Sequence, residues 1–528
     1  MDEHVTTKWE KISERKKHDL EVSLSTVQSS WKTPLFHGRK NVTGIPKIVL
    51  PQSTIDITEQ PAEILVKKLA LGYLTSVEVT QAFLLRAKLA SQLVCCITEL
   101  MPEAALERAT FLDNYLRETG KPIGPLHGLP ISVKEHMSVA GLDCNAGFIA
   151  WVGRIAKANA TMADLLLTSG CVLYARTTEP QGLMHLETSN NIYGVTSNPY
   201  NVDLTAGGSS GGEGALLALK GSCLGLGSDI GGSIRVPAAH GGLFGLKPTP
   251  HRLPLKGFVA VEAGPQHVVP VTGPLSTSLE GINLFMKSVI DQLSTEDADE
   301  PLLKQPWGMP SPLPDTQTSQ KIRIGIMVSD GVVKPHPPLV RALEHVRRRL
   351  GKCSDFHVFE FLPHDHQRAW RIASGCYFPD GGRQYIETVK ASQEPISSLT
   401  DLIINQNRYV KERNPEEMSS LVAELEAYKR EYQAHWNACF DSSERGDGNC
   451  GVQDSPSQHL DFLIAPATPG CAPQHGRTRY WGYTAQWNVT GYPCLVFPTG
   501  LHVDLNDKPD HSYDPLNEMD AYNQSLCK

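Results

Sequence analysis

Between Gly207 and Gly245 the chain reads GGSSGGEGALLALKGSCLGLGSDIGGSIRVPAAHGGLFG, the densest glycine region of its 528 residues. Glycine loses more backbone freedom on folding than any other residue, so such a cluster needs a reason, either positive φ or close backbone approach. The helix-forming ALLALK behind the first serines places them at a loop-to-helix junction. The apolar CLGLG ahead of GSDIGGSIRVP places the second group at a strand end, where successive N–H groups can converge on one concavity. A phosphate loop is a poor match, because GxxxxGK(S/T) and an unbroken GxGxxG are both absent. The plain alternative is tight turns under a helix, with the serines as caps.

The surrounding pattern is α/β. A periodic apolar run begins near Ala62, and Thr75 with Glu78 forms a capping box ahead of the helical VEVTQAFLLRAKLA, the pair burying one face and exposing lysines on the other. From about residue 127, short buried runs (LPISV, GCVLYA, SCLGLG) alternate with helical stretches. KIRIGIMV reads as a strand and PPLVRALEHVRRRLG as a helix opening at proline. DFLIAPA and YPCLVFPTG read as two more buried strands. Residues 301–319 form an extended connection and 442–458 a loop; strands on both sides of the first fit either two domains or one large sheet with an insertion. This gives a helical N-terminal extension at 1–59, a main domain at 60–515 and a C-terminal tail at 516–528.

Composition excludes several classes of function. With 49 basic and 57 acidic side chains the formal charge is −8, a balance that gives no encouragement to nucleic acid or anionic membrane as a partner. No stretch approaches eighteen uninterrupted apolar residues, and the charged first thirty residues lack a signal-peptide core, so the expectation is a cytoplasmic protein without a membrane span. The twelve cysteines then read as free thiols. HExxH is absent and Cys95–Cys96 are adjacent rather than spaced as ligands, so no metal or other cofactor is expected; Cys471 and Cys494 read as buried thiols.

The glycine region resembles the core of the amidase signature family of serine hydrolases. GGSSGG stands at Gly207–Gly212, and GSDIGGSIRVP, matching the family's G-S/T-D-I-G-G-S-I-R-x-P, at Gly227–Pro237. The family's upstream GLPxxVK is present as GLPISVK at Gly128–Lys134, and residues 177–201 resemble its lead-in to the glycine core. Lys134 and Ser209 are 75 positions apart, and Ser209 and Ser233 are 24, both as in the family. The resemblance implies an α/β/α layered fold on a large mixed twisted sheet, with Ser233 as nucleophile, Ser209 after a cis peptide bond as bridge, and Lys134 as base. It implies oxyanion donors from Ile230, Gly231, Gly232 and Ser233, and support from Ser210, Asp229 and Arg235. Family members are often homodimers, though no residue here specifies an interface.

The chemistry is coherent on its own terms. A serine hydroxyl attacks a carbonyl well only when a base removes its proton. A lysine, with an ordinary pKa of about 10.4, serves only when burial away from carboxylates holds it neutral. A hydroxyl both accepts and donates, so Ser209 can pass a proton from Ser233 to Lys134. A Ser-His-Asp arrangement is disfavoured by the absence of a GxSxG elbow, and His136 and His240 read as structural.

The WGYTAQWN pattern is most similar to fungal acetamidase-like members. Trp481, Tyr483 and Trp487, with Met184, Gly207, Gly208 and the 141–151 segment, are candidates for the pocket wall, the aromatic ones weighed against a place in the core. The expected activity is hydrolysis of a small or medium monocarboxylic amide, without a cofactor. A glutaminase-type subunit of a transamidation complex, a fatty acid amide or lactam hydrolase, and an inactive binding homologue are the alternatives.

Overall fold

The computed structural model describes residues 7–31, 38–261, 266–293, 301–308, 321–438 and 460–527. Its main sheet has seven strands in the order Ile97–Leu100, Val172–Thr177, Pro130–Lys134, Leu224–Asp229, Val271–Ser276, Phe244–Lys247, Cys494–Val496. The second, third and fourth of these run parallel to one another, and every other pairing in the sheet is antiparallel. The result is a large mixed sheet with helices packed on it, an α/β layered fold as expected.

The three parallel strands bring distant motifs to one place. Parallel neighbours finish at the same edge of a sheet, and Thr177, Lys134 and Asp229 are the last residues of the three. The crevice outside such carboxyl ends is where open α/β sheets bind ligands.

Strands Ile322–Ile326, Phe356–Glu360 and Phe462–Ile464 form a separate, all-parallel sheet, while Cys494–Val496 returns to the main one. The chain after residue 320 is thus neither a detached domain nor a simple continuation of one sheet. Of the stretch expected to be an extended connection, residues 309–319 lie outside the described residues, as does the 442–458 loop. The strands Phe462–Ile464 and Cys494–Val496 are not buried as their apolar sequences imply. Each is three residues long and lies at a sheet edge, with Phe462 and Leu495 substantially exposed.

The Thr75 capping box is present, its hydroxyl accepting from Glu78 N and the Glu78 carboxylate accepting from Thr75 N. The helix it opens, Ser76–Val94, is however buried nearly all round rather than on one face. Residues 7–31 and 38–59 explain this. Helix Lys8–Ser25 lies against strand Ile97–Leu100, and helix Gln52–Thr58 against Ser76–Val94. Lys88, expected on a solvent face, is buried and donates to Val27 O at 2.7 Å. At the other end, helix Glu518–Ser525 is anchored through buried Asp520, which accepts from Lys334 N at 3.0 Å.

Arg86 fastens these layers to the glycine region. Its guanidinium donates to Leu219 O at 2.7 Å, to Thr58 Oγ1 at 2.6 Å and to Glu59 Oε1 at 2.8 Å. Arg86→Leu removes every one of these bonds and leaves Leu219 O and Thr58 Oγ1 without their donor in a buried site. It is expected to cost about 3–5 kcal/mol, read as a lower urea midpoint at unchanged slope.

Candidate active site

Lys134 ends its strand inside the protein, 1% exposed, with Nζ 2.6 Å from Ser209 Oγ and 3.2 Å from Ser228 Oγ. Burial lowers its pKa to about 8, against the upward pull of Glu179, Asp229 and Glu213. The expectation of a lysine remote from carboxylates therefore needs correction: three stand near, and burial outweighs them. Two of the three are weakened as anions. Burial pushes Glu213 up to about 7, even though it accepts from Ser132 Oγ and Thr177 Oγ1. Burial, with Glu135 beside it, drives Glu179 well above the usual carboxylate range.

Ser209 lies on the turn that enters helix Gly211–Ala218, after a cis peptide bond from Gly208. A Cβ on Gly208 would lie 2.4 Å from Glu187 O, so only glycine permits this approach. Ser210 N donates to Ser233 O at 3.1 Å, which ties the two serine turns together. Ser233, 5% exposed, precedes helix Arg235–Gly241 and lines the same cavity as Ser209. Its hydroxyl makes no hydrogen bond to a protein group among the described residues.

The turn from Asp229 to Ser233 is pinned peptide by peptide. Tyr377 Oη donates to Ile230 O at 2.6 Å, Thr484 Oγ1 to Gly231 O at 2.5 Å, and Val236 N to Gly232 O at 2.8 Å. In a planar trans peptide the next residue's N–H points opposite to the carbonyl. Fixing these oxygens therefore fixes the N–H directions of Gly231, Gly232 and Ser233. Gly232 N–H donates to Asp229 Oδ1 at 2.9 Å, so this member of the expected donor set is already engaged. The N–H groups of Ile230, Gly231 and Ser233 have no protein acceptor among the described residues. A Cβ on Gly232, at φ +135°, would sit 2.5 Å from Thr484 Oγ1.

Asp229 and Arg235 form the buried base of this turn. Their closest atoms are 2.8 Å apart, and Arg235 also donates to Thr484 O at 2.8 Å and Asn488 Oδ1 at 2.6 Å. Burial opposes the charge on Asp229, but Arg235, Lys247 and Asn488 hold its carboxyl below the usual range.

The cavity above the serines has a volume of about 170 Å³. Its wall is largely apolar, with Leu183, Met184, Phe258, Val268, Phe378 and Tyr385, and no lysine or arginine lines it among the described residues. Met184, one of the candidates, is among these lining residues. The other pocket candidates are not on the wall. Gly207 packs against Pro237 and Gly208 against Glu187. Trp481 lies behind the turn, where a Cβ on Gly231 would meet its ring at 2.9 Å. Tyr483 donates to Val333 O at 2.6 Å, and Trp487 meets the Tyr432 ring edge-on at 6.0 Å. Helix Gly482–Thr490 is buried from Gly482 to Val489, so its aromatics support the site instead of facing it. Phe148, from the 141–151 segment, likewise stands behind Tyr385, ring centroids 4.8 Å apart.

His240 is buried away from this cavity, but His136 lines it, 2.9 Å from Ser228 Oγ. Sequence reasoning passed over Ser228 and Tyr377. The first had a signal, as the hydroxyl residue of the G-S/T-D motif; the second, far away in helix His366–Tyr377, had none. The described cysteines are free, with Cys471 exposed rather than buried.

A buried lysine thus stands bonded to one serine, beside a second serine below an apolar cavity. A family model described as Amidase matches residues 78–511, and the chain belongs to that family. An amidase relative from Schizosaccharomyces pombe is 42% identical over 92% of this chain and 86% of its own. The "Acetamidase" of Emericella nidulans is 35% identical over 97% of this chain and 91% of its own. Among solved structures, a "Fatty acid amide hydrolase" superposes with a TM-score of 0.88 at 31% identity, covering 98% of this chain and 89% of that one. The protein is an amidase, and its reaction is the hydrolysis of an amide bond.

Asp229→Asn removes the charge facing buried Arg235 while keeping side-chain volume. It is expected to destabilise the fold by about 3–5 kcal/mol, read by urea denaturation.

Proposed function

We propose that the enzyme hydrolyses small, uncharged monocarboxylic amides through an acyl-enzyme on Ser233, with Ser209 as proton bridge and Lys134 as terminal base. The observation that carries this reading is the 2.6 Å contact between buried Lys134 Nζ and Ser209 Oγ, in a cavity shared with Ser233. For attack, the Ser233 hydroxyl turns toward Ser209 and its oxygen adds to the substrate carbonyl. Its proton passes to Ser209 Oγ as the Ser209 proton passes to Lys134 Nζ. Such catalytic hydrogen bonds commonly close only when substrate is bound. The tetrahedral oxyanion is met by the unengaged N–H groups of the turn, Ile230, Gly231 and Ser233, one such donor being worth about 3–4 kcal/mol. The lysine proton then returns along the bridge to the amine, which leaves as the C–N bond breaks. Water attacks the ester by the same path and releases the acid.

Cavity size and charge narrow the substrate. A cavity of about 150 Å³ holds a benzene ring, so about 170 Å³ suits a short aliphatic or single-ring acyl group. A glutamine substrate needs a cation for its α-carboxylate, and none lines the wall among the described residues, which favours a simple amide over the glutaminase reading. The free cysteines fit a reducing compartment, and we assign the enzyme to the cytosol.

Purified enzyme is expected to turn over acetamide, butyramide or benzamide with kcat/KM at least about tenfold above a C16 amide, with no glutaminase activity. A preference for the long chain or for glutamine refutes the substrate assignment. Lys134→Ala is expected to lower kcat by about 10²–10⁴-fold while the fold survives, and near-normal turnover removes lysine from the mechanism. Because the reactive lysine is the neutral one and its pKa is about 8, kcat/KM is expected to rise from pH 7 to 9 and then level. A profile with its maximum near pH 5 contradicts this.

A further inference from the structure

We infer that His136 is a positioning residue: through Ser228 it fixes the direction of the hydrogen bonds around Lys134, so that the amine lone pair faces Ser209. This inference rests on the reading of Lys134 as terminal base.

The direction follows from what each group can donate. His136 Nδ1 is 2.9 Å from Val259 O, and a carbonyl only accepts, so Nδ1 carries the proton. The ring is neutral, because burial and the neighbouring Lys134 oppose its charge more than the Val259 bond favours it. Nε2 is therefore an acceptor. Ser228 Oγ, 2.9 Å away, must donate its only proton to it. Toward Lys134, 3.2 Å away, Ser228 then presents a lone pair and accepts an N–H.

A neutral amine has two N–H groups and one lone pair. With one N–H held by Ser228, the lone pair remains for the Ser209 proton at 2.6 Å. When Lys134 gains that proton, only the Lys134–Ser209 bond reverses, and the Ser228 contact is unchanged. Without His136, the Ser228 hydroxyl is free to turn and donate to the same lone pair, in competition with Ser209.

The ring is held in place for this task. The His136 backbone exchanges with Val259, its carbonyl accepting from Val259 N at 2.8 Å, and its N–H donates to Glu179 Oε2 at 3.3 Å. The Phe258 ring meets the imidazole edge-on at 5.2 Å. The charged or titratable groups facing Lys134 from the neighbouring elements are Glu179, Glu213 and Asp229, together with His136; those facing His136 are Lys134 and, at its backbone N–H, Glu179.

The test is a four-variant comparison of acylation rates on a short amide: His136→Phe, Ser228→Ala, the double variant, and Lys134→Ala. His136→Phe is expected to lose about 100-fold in kcat, with KM changed far less. Ser228→Ala, which removes the competing hydroxyl altogether, is expected to lose about tenfold. The double variant is expected to match Ser228→Ala and thus to recover most of the His136→Phe loss. Thermal melting within a few degrees of wild type establishes that each variant is folded. A double variant no faster than His136→Phe overturns the inference, because a purely structural defect is not repaired by a second deletion. A His136→Phe enzyme as fast as wild type also overturns it. If Lys134→Ala is itself fully active, the base assignment has failed and the inference falls with it; inactive Lys134→Ala without rescue leaves that assignment standing and sinks only the role of His136.

Discussion

The site depends on the outcome of one electrostatic contest, between the burial of Lys134 and the three carboxyls that face it. An exposed lysine is an ammonium at neutral pH and has no lone pair to offer. Enclosure removes water from the amine and lowers its pKa to about 8. Asp229 keeps its charge because Arg235 holds it, but it spends that charge on its own pair and on Gly232 N–H. Glu179 and Glu213, also enclosed, are driven toward the uncharged acid. The same dryness that neutralises the amine therefore also weakens the anions that would recharge it. The carboxyls remain useful as acceptors, Glu213 for Ser132 in the middle of one parallel strand and for Thr177 at the end of its neighbour.

How much of this was legible beforehand depends on distance along the chain. Each motif is local: a strand ending at Lys134, a turn at Ser209, a strand-end turn at Asp229–Ser233. Strand periodicity and helix caps likewise act over a few residues, so the elements could be read directly. The buried state of helix Ser76–Val94 could not, since its second face is covered from residues 7–31 and 38–59, the first of which read only as charged helix and the second mostly as irregular chain. The edge strands Phe462–Ile464 and Cys494–Val496 misled for a similar reason, because an apolar run does not say whether a neighbouring strand exists to cover it.

The pocket was the least legible part, and the aromatic residues show why. Trp481 caps the start of one short helix that carries Tyr483 and Trp487, and sequence alone cannot say whether that helix presents them to substrate or to the core. The decisive contact lies some 250 positions away, where Arg235 reaches the Thr484 carbonyl (2.8 Å) and the Asn488 side chain (2.6 Å). Through these two bonds the Asp229–Arg235 ion pair holds helix Gly482–Thr490 underneath the turn. The aromatic faces then lie behind Gly231 and Gly232, and the cavity wall is left to Met184, Phe258 and Phe378. A buried pair of this kind adds little net stability, but it fixes orientation.

The glycines consequently answer two demands at once. One is the close approach of the helix below, which leaves no room for a Cβ at 231 or 232. The other is the set of peptide directions above, where carbonyls turn down to Tyr377, Thr484 and Val236 while N–H groups turn away from them. Gly232 shows the limit of reading donors from a motif: its N–H is used internally by Asp229, so the number of glycines overstates the number of free donors. The turn is rigid because its carbonyls are occupied. For the same reason, the directions of its remaining N–H groups are set in advance of any ligand, and under the proposed mechanism that pre-organisation is what makes such donors effective toward a negative oxygen.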